Sequence, residues 1–118
     1  GSLYDRRPYI VLTEDGITEM FTIRGQIEWE AIRYADDFYF RGQYWVRLLL
    51  ESNYKPQLIR PAWFWRFDRL YESKGVKAVY LRTMGLEMDS MQLVALIRRM
   101  KEADVPGRIE LLNGCLLK

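Results

Sequence analysis

The chain has 118 residues, of which 49% are hydrophobic and 14% aromatic, and its formal net charge is +2. This length suits one domain with one core, and the apolar content excludes a wholly disordered chain. The net charge is too small to indicate a nucleic-acid or membrane partner by itself. We therefore expect one domain over residues 1–118, with residues 1–8 as a tag remnant and flexible start.

The sequence contains no histidine and one cysteine, Cys115. Zinc and iron–sulfur sites need several thiolates or imidazoles around the metal, and Ser–His and Cys–His hydrolases need an imidazole as general base. A single cysteine excludes an intramolecular disulfide, which fits a reducing compartment. No uncharged apolar run approaches the roughly 20 residues of a membrane helix. We expect a cytoplasmic protein with no metal, no cofactor, no catalytic residues and no membrane partner.

The first predicted element is a β-hairpin. Residues 9–13 are rich in β-prone side chains, residues 14–16 have turn composition, and residues 17–24 resume an extended pattern.

Apolar residues then recur at helical spacing in two stretches. Residues 26–40 and residues 43–52 each carry a helical apolar face, and Arg41-Gly42 separates them. The pattern predicts two helices. Trp29 and Phe40 fall off the apolar face of the first one.

The second half predicts a further helix and then a strand-helix-strand unit. Pro61 suits the first turn of a helix over residues 62–73. Residues 76–81 are typical of a buried strand, and Asp89 with Gln92 has the spacing of a capping box at a helix start. Residues 108–112 then read as a returning strand. The fold class that follows is α+β, or small α/β, with an N-terminal β-hairpin, two to three helices and this unit on one small sheet.

Two short stretches resemble known families. Residues 33–38, Arg-Tyr-Ala-Asp-Asp-Phe, resemble the catalytic box of reverse transcriptases, and the resemblance implies that Asp36 and Asp37 hold magnesium ions for phosphoryl transfer. The helical pattern favours another interpretation, in which both aspartates lie on a solvated helix face. Residues 76–112 resemble the strand, helix and strand of the sulfate-transporter and anti-sigma-antagonist family, where an Asp-Ser pair opens the helix as Asp89-Ser90 does here. That resemblance implies a regulatory domain.

Charge and aromatic residues are unevenly distributed. Residues 14–37 contain seven acids and two bases, whereas residues 55–82 contain seven bases and two acids. On a helix over residues 62–73, Trp63, Phe67 and Leu70 form one stripe and Trp65 falls opposite to it. If two layers enclose this helix, all its aromatic residues are core. If one side is open, Trp65 and its basic neighbours form a binding surface.

We therefore expect a small non-enzymatic protein-interaction or regulatory module. Its partner is another protein or a second copy of the chain, and the alternative is a nucleic-acid-binding domain that uses the same surface. The expected partner-binding residues are Arg60, Trp63, Trp65, Arg66, Arg69 and Lys74.

Overall fold

The structure is a computed structural model that describes residues 10–19, 23–54, 57–58, 65–83, 86 and 88–116. The expected tag remnant and flexible start at residues 1–8 lie outside the described residues. The described elements follow in chain order: β1 (Ile10–Leu12), β2 (Gly16–Glu19), β3 (Ile23–Arg24), β4 (Ile27–Glu28), a 3-10 helix (Trp29–Ala31), β5 (Ile32–Phe40), β6 (Gln43–Glu51), β7 (Gln57–Leu58), α1 (Trp65–Glu72), β8 (Val76–Arg82), α2 (Ser90–Glu102) and α3 (Val105–Leu116).

Antiparallel sheets and helices share the fold, which confirms the α+β class. Strands β1, β2 and β4 form one sheet in the order β1-β2-β4, and β3 pairs with β7. The largest sheet has the order β5-β6-β8, with both pairs antiparallel. The predicted N-terminal hairpin is confirmed, because β1 and β2 pair with Val11 opposite Thr18.

A turn over residues 13–16 closes the N-terminal hairpin. The backbone N–H of Thr13 donates to the carbonyl oxygen of Gly16 at 2.9 Å. Gly16 already belongs to β2 and pairs with Glu28 of β4. A Cβ atom at this position would collide with the carbonyl oxygen of Ile27. Glycine is therefore required here because the neighbouring backbone lies so close.

The two helices predicted over residues 26–40 and 43–52 are wrong, because residues 32–51 form the long hairpin of β5 and β6 and residues 27–31 form β4 and the 3-10 helix. Arg41 and Gly42 join the strands and have φ angles of 52° and 84°. Two positive φ angles are the signature of a type I′ turn, whose twist matches that of paired antiparallel strands. The separator between two supposed helices is thus the turn of one hairpin.

Burial on both faces of the sheet explains the error. On β6, Val46, Leu48 and Leu50 face the core under α2, whereas Trp45 and Leu49 pack on the opposite face. A strand covered on both sides is apolar at consecutive positions, so its sequence loses the alternation that identifies a half-buried strand.

The main core lies between the large sheet, the N-terminal strands and α2. Ile97 and Met100 of α2 are fully buried and belong to the same cluster as Val79 and Leu81 of β8. Trp29, expected to lie off the apolar face of a helix, is fully buried in this core, and its Nε1 donates to the carbonyl oxygen of Thr13 at 2.8 Å.

The opposite face of the sheet carries a second, mostly aromatic cluster. Its buried members are Trp45, Tyr71, Val76, Ala78 and Tyr80, and Phe38, Phe40 and Leu49 pack against them. Tyr71 belongs to α1, so this face of the sheet lies beneath α1.

The capping box at the start of α2 is confirmed. The N–H of Gln92 donates to the Asp89 carboxylate at 2.8 Å, and the Gln92 side-chain oxygen accepts from the N–H of Asp89 at 3.0 Å. These bonds satisfy backbone donors that no helical carbonyl can reach.

The strand predicted over residues 108–112 is wrong, because the chain forms α3 there. Asp104 accepts from the N–H of Gly107 at 2.9 Å and so caps this helix. Pro106 lies in the first turn, where its missing N–H has no helical partner to lose. A new helix therefore begins where a strand was expected. The unit over residues 76–112 is a strand followed by two helices, which departs from the sulfate-transporter and anti-sigma-antagonist pattern.

Candidate functional site

The contact surface predicted from the sequence is centred on α1. Trp65, Arg66 and Arg69 lie within α1, and Lys74 lies exposed in the turn after it. Arg60 and Trp63 lie outside the described residues, as do the side chains of Trp65, Arg66 and Arg69. The exposure of the Trp65 indole therefore stays a prediction.

Tyr71 attaches α1 to the sheet. Its side chain is buried in the aromatic cluster, and its hydroxyl accepts a hydrogen bond from Nη1 of Arg47 at 2.8 Å. Arg47 belongs to β6, so one hydrogen bond joins the helix to the central strand of the large sheet.

Arg47 also binds Asp36, its cross-strand neighbour on β5. Its Nε donates to Oδ1 of Asp36 at 2.8 Å and its Nη2 donates to Oδ2. The guanidinium carbon lies 5.2 Å from the centre of the Phe38 ring. The hydrogen bonds to Asp36 raise the pKa of Arg47 above its already high ordinary value. The Arg47 guanidinium is therefore permanently charged, and its hydrogen-bond donors are used by Asp36 and Tyr71.

Tyr80 of β8 completes this group, which we call the Arg47 cluster: Asp36, Arg47, Tyr71 and Tyr80. Burial raises the pKa of Tyr80, and the neighbouring Tyr71 phenol adds to the effect. The neutral phenol is thus the stable form. The hydrogen bonds of Arg47 link β5, β6 and α1, and Tyr80 of β8 packs in the same aromatic cluster as Tyr71. The role of the Arg47 cluster is to hold α1 in place.

Two of the described side chains of α1, Leu70 and Glu72, are exposed to solvent. Leu70 is 54% exposed, whereas Tyr71, the next residue, is 8% exposed. The sequence placed Leu70 on the core-facing stripe with Trp63 and Phe67, and that placement of Leu70 is wrong. The buried face includes Tyr71 because the Arg47 cluster gives this ring both an apolar and a polar partner. An exposed leucine on this helix adds apolar surface where a partner was predicted to bind.

A shallow cleft of about 150 Å³ lies at the inner border of α1. Asp68 and Glu72 of α1 and Lys77 of β8 line it, and Nζ of Lys77 donates to the carbonyl oxygen of Tyr54 at 2.6 Å. Two carboxylates therefore lie close to the predicted contact surface.

Asp36 and Asp37 are not arranged as the reverse-transcriptase resemblance implies. They lie in the middle of β5, where consecutive side chains point to opposite faces of the sheet. Asp36 is held by Arg47, which leaves its oxygens committed to the guanidinium. Among the described residues no group of three or more Cys, Asp or Glu side chains is placed to hold a metal ion. These donors do not fit a magnesium centre, so phosphoryl transfer at this pair is not proposed.

Sequence reasoning missed a second surface, at the outer edge of β5. Tyr34, Tyr39 and Tyr44 are each about half exposed on the hairpin. Arg98 and Lys101 reach from α2 to the backbone of β5. No signal near residues 98 and 101 could have revealed this, because the contact depends on where β5 lies.

Among the described helices, none has both the length and the apolar character needed to cross a bilayer. The chain matches no protein-family model, no curated protein sequence and no solved structure.

Proposed function

We propose that this protein is a small non-enzymatic protein-interaction module with a regulatory role, whose partner is another protein or a second copy of the chain. The proposed contact surface is the outer side of α1 and its flanking residues. Its members are Arg60, Trp63, Trp65, Arg66, Leu70, Arg69 and Lys74.

The main support for this proposal is that Leu70 is exposed on α1, the helix that covers the aromatic face of the large sheet. The all-core interpretation of the aromatic segment requires a second layer over α1, yet Leu70, Glu72, Ser73 and Lys74 are exposed. Apolar and arginine side chains together are typical of the energetic centres of protein interfaces.

A nucleic-acid partner is the alternative for the same surface, because basic residues outnumber acidic ones across residues 55–82. The position of Asp68 and Glu72 favours a protein instead, since carboxylates beside the contact surface repel phosphates. The salt dependence of binding distinguishes a nucleic-acid partner from a protein partner. Nucleic-acid affinity falls with salt by a log–log slope of about 0.9 per phosphate contact, whereas an interface centred on apolar residues changes little.

The experiment compares Leu70→Glu with Met91→Glu, since Met91 is 70% exposed on α2 and serves as a control. Both variants should keep the native stability within about 0.5 kcal/mol. Light scattering on size-exclusion fractions measures self-association, and titration with a single-stranded oligonucleotide measures nucleic-acid binding at several salt concentrations. Loss of self-association in Leu70→Glu alone supports the proposal. Salt-sensitive oligonucleotide binding that Leu70→Glu abolishes would replace it with the alternative.

The Trp65→Ala variant tests whether the Trp65 indole belongs to the contact surface or to the core. We expect weakened association with little change in stability. Unchanged association together with a loss of about 3 kcal/mol or more would show that Trp65 is a core residue.

We place the protein in the cytoplasm. The support is its single cysteine, which allows no intramolecular disulfide of the kind that stabilises small secreted domains.

A further inference from the structure

The two edge strands of the large sheet differ in exposure. On β8, residues 78–81 are each at most 1% exposed. On β5, Tyr34 and Tyr39 are 49% and 59% exposed, and β6 is its only strand neighbour in the described part of the chain. The accessible edge of this sheet is therefore β5.

The register of the hairpin decides which backbone groups face outward from β5. A two-residue turn makes Phe40 and Gln43 a hydrogen-bonded pair, and hydrogen-bonded and open pairs alternate from there. The N–H and C=O groups of Ala35, Asp37 and Tyr39 consequently point away from β6. The backbone N–H and C=O groups of Asp37 and Tyr39 form no hydrogen bond to another backbone group among the described residues.

Basic side chains cover the remainder of this edge. Nε and Nη2 of Arg98 donate to the carbonyl oxygen of Ala35 at 3.1 and 2.8 Å. Nζ of Lys101 donates to the carbonyl oxygen of Arg33 at 3.2 Å. Long cationic side chains thus occupy the acceptor positions that an added strand would use, and lysine is a common protector of exposed sheet edges.

A groove of about 190 Å³ separates β5 from α2. Its floor is apolar, since Ile32, Ala35 and Ile97 are buried, and its rim is charged. The rim carries three basic residues, Arg33, Arg98 and Lys101, and one acidic residue, Glu102. At the open end of the edge, the rings of Tyr39 and Tyr44 lie 4.8 Å apart and are both more than half exposed.

We propose that this groove binds an acidic, extended segment of a partner protein, which pairs with β5 as an additional strand. Its backbone would bond to the open groups of Asp37 and Tyr39 and then replace the side-chain donors on Ala35 and Arg33. Arg98 and Lys101, released from those carbonyls, would pair with carboxylates of the segment in charge-assisted bonds. Strand addition supplies affinity through the backbone, and the charged rim supplies selectivity for acidic sequences.

This surface is separate from the one proposed above. α1 packs on β8, at the opposite edge of the sheet and through the face that carries the aromatic cluster. The β5 edge can therefore bind a segment whether or not α1 contacts another protein, and substitutions at residues 65 and 70 leave it intact.

The test follows amide hydrogen exchange by NMR, with a synthetic peptide of alternating Glu and Val residues as the probe. We expect the amides of Asp37 and Tyr39 to exchange about tenfold more slowly when this peptide is bound. A matching Lys/Val peptide should give no protection, because the rim is basic. The Glu/Val peptide with an N-methyl group at every residue should also fail, because neither of its edges then has backbone donors.

Variants of the protein then show which residues contact the peptide. Tyr39→Pro removes an outward N–H at a position where an edge strand accepts proline, and it should weaken peptide binding about tenfold, while Tyr39→Ala should weaken it less. Arg98→Gln should weaken binding about threefold, and Arg99→Gln, its exposed neighbour on α2, should change nothing.

Three results would overturn the proposal. The first is an absence of protection at Asp37 and Tyr39, and the second is equal binding of the N-methylated peptide. The third is protection that grows with protein concentration in the absence of peptide, which would assign the edge to a second copy. The α1 surface is judged separately by Leu70→Glu, so failure of one proposal does not decide the other.

Discussion

Arg47 and Asp36 face each other across β5 and β6 and form a bidentate ion pair that is about four-fifths buried on both sides. The same guanidinium bonds to Tyr71 of α1. The pairing of two neighbouring strands and the docking of a helix therefore depend on one side chain.

Removing the carboxylate should destabilise the protein. We expect Asp36→Ala to lower the free energy of unfolding by about 2 kcal/mol, because Arg47 loses its acceptor while it stays largely buried. The control is Arg33→Met, which removes an ion pair with Glu51 that spans 3.8 Å and is about half exposed. That change should cost less than about 0.5 kcal/mol. Urea denaturation measures both, and similar small losses would show that the Arg47 cluster does not hold α1.

Two glycines should respond in opposite directions to alanine. Gly16→Ala forces a Cβ into the backbone of Ile27 and should destabilise the protein by more than about 2 kcal/mol. Gly114 lies in α3 with open space around the position of its missing Cβ. Gly114→Ala should stabilise the protein by about 0.5–1 kcal/mol, because alanine has the higher helix propensity. Thermal denaturation of the two variants measures both stability changes. An unchanged stability of Gly16→Ala would contradict the close approach of β2 and β4.

Arg108 should be essential for the attachment of α3. Its side chain is 6% exposed, and it donates to the carbonyl oxygens of Met100 and Glu14 at 2.7 and 3.2 Å. We expect Arg108→Met to cost about 2–3 kcal/mol, since buried acceptors lose their donor. Its ionic partner Glu30 is 68% exposed. Glu30→Gln should therefore change stability by less than about 0.5 kcal/mol. Equal losses in the two variants would show that the ion pair, and not the backbone acceptors, carries the effect.

Tyr80 should make the protein sensitive to alkali. Burial raises the pKa of Tyr80 in the native state, so the unfolded chain loses the phenolic proton at a lower pH, near 10. The contribution of this group is therefore fully present below about pH 10 and is lost as the pH rises further.

Comparison of Tyr80→Phe with the parent protein tests this dependence. At about pH 7 the variant should keep the parental stability within about 1 kcal/mol, because the ring stays packed in the aromatic cluster. Between about pH 9 and pH 11 its stability should fall less steeply than that of the parent, as followed by urea denaturation. A parental slope in Tyr80→Phe would refute the assignment.

Local rules were sufficient where one short segment decides its own conformation. The capping box at Asp89 and Gln92, the hairpin turn before Gly16 and the strand at residues 76–81 were all predictable, because the bonds that fix them join near neighbours. The α+β class followed from these elements. The composition of the segment before β8 also suggested a contact surface, which stays a prediction, and it placed Leu70 on the wrong side of the helix.

Tertiary structure alone decided whether residues 26–52 are helical or extended. Their apolar positions fit a helix period as well as a strand buried on both faces, and the coverage by α1 and α2 comes from residues far along the chain. The same holds for the groove at β5, since Arg98 and Ala35 are 63 positions apart. Sequence patterns report the neighbours of a residue along the chain, whereas burial on two faces and the reach of a basic side chain to a distant carbonyl depend on how the layers assemble.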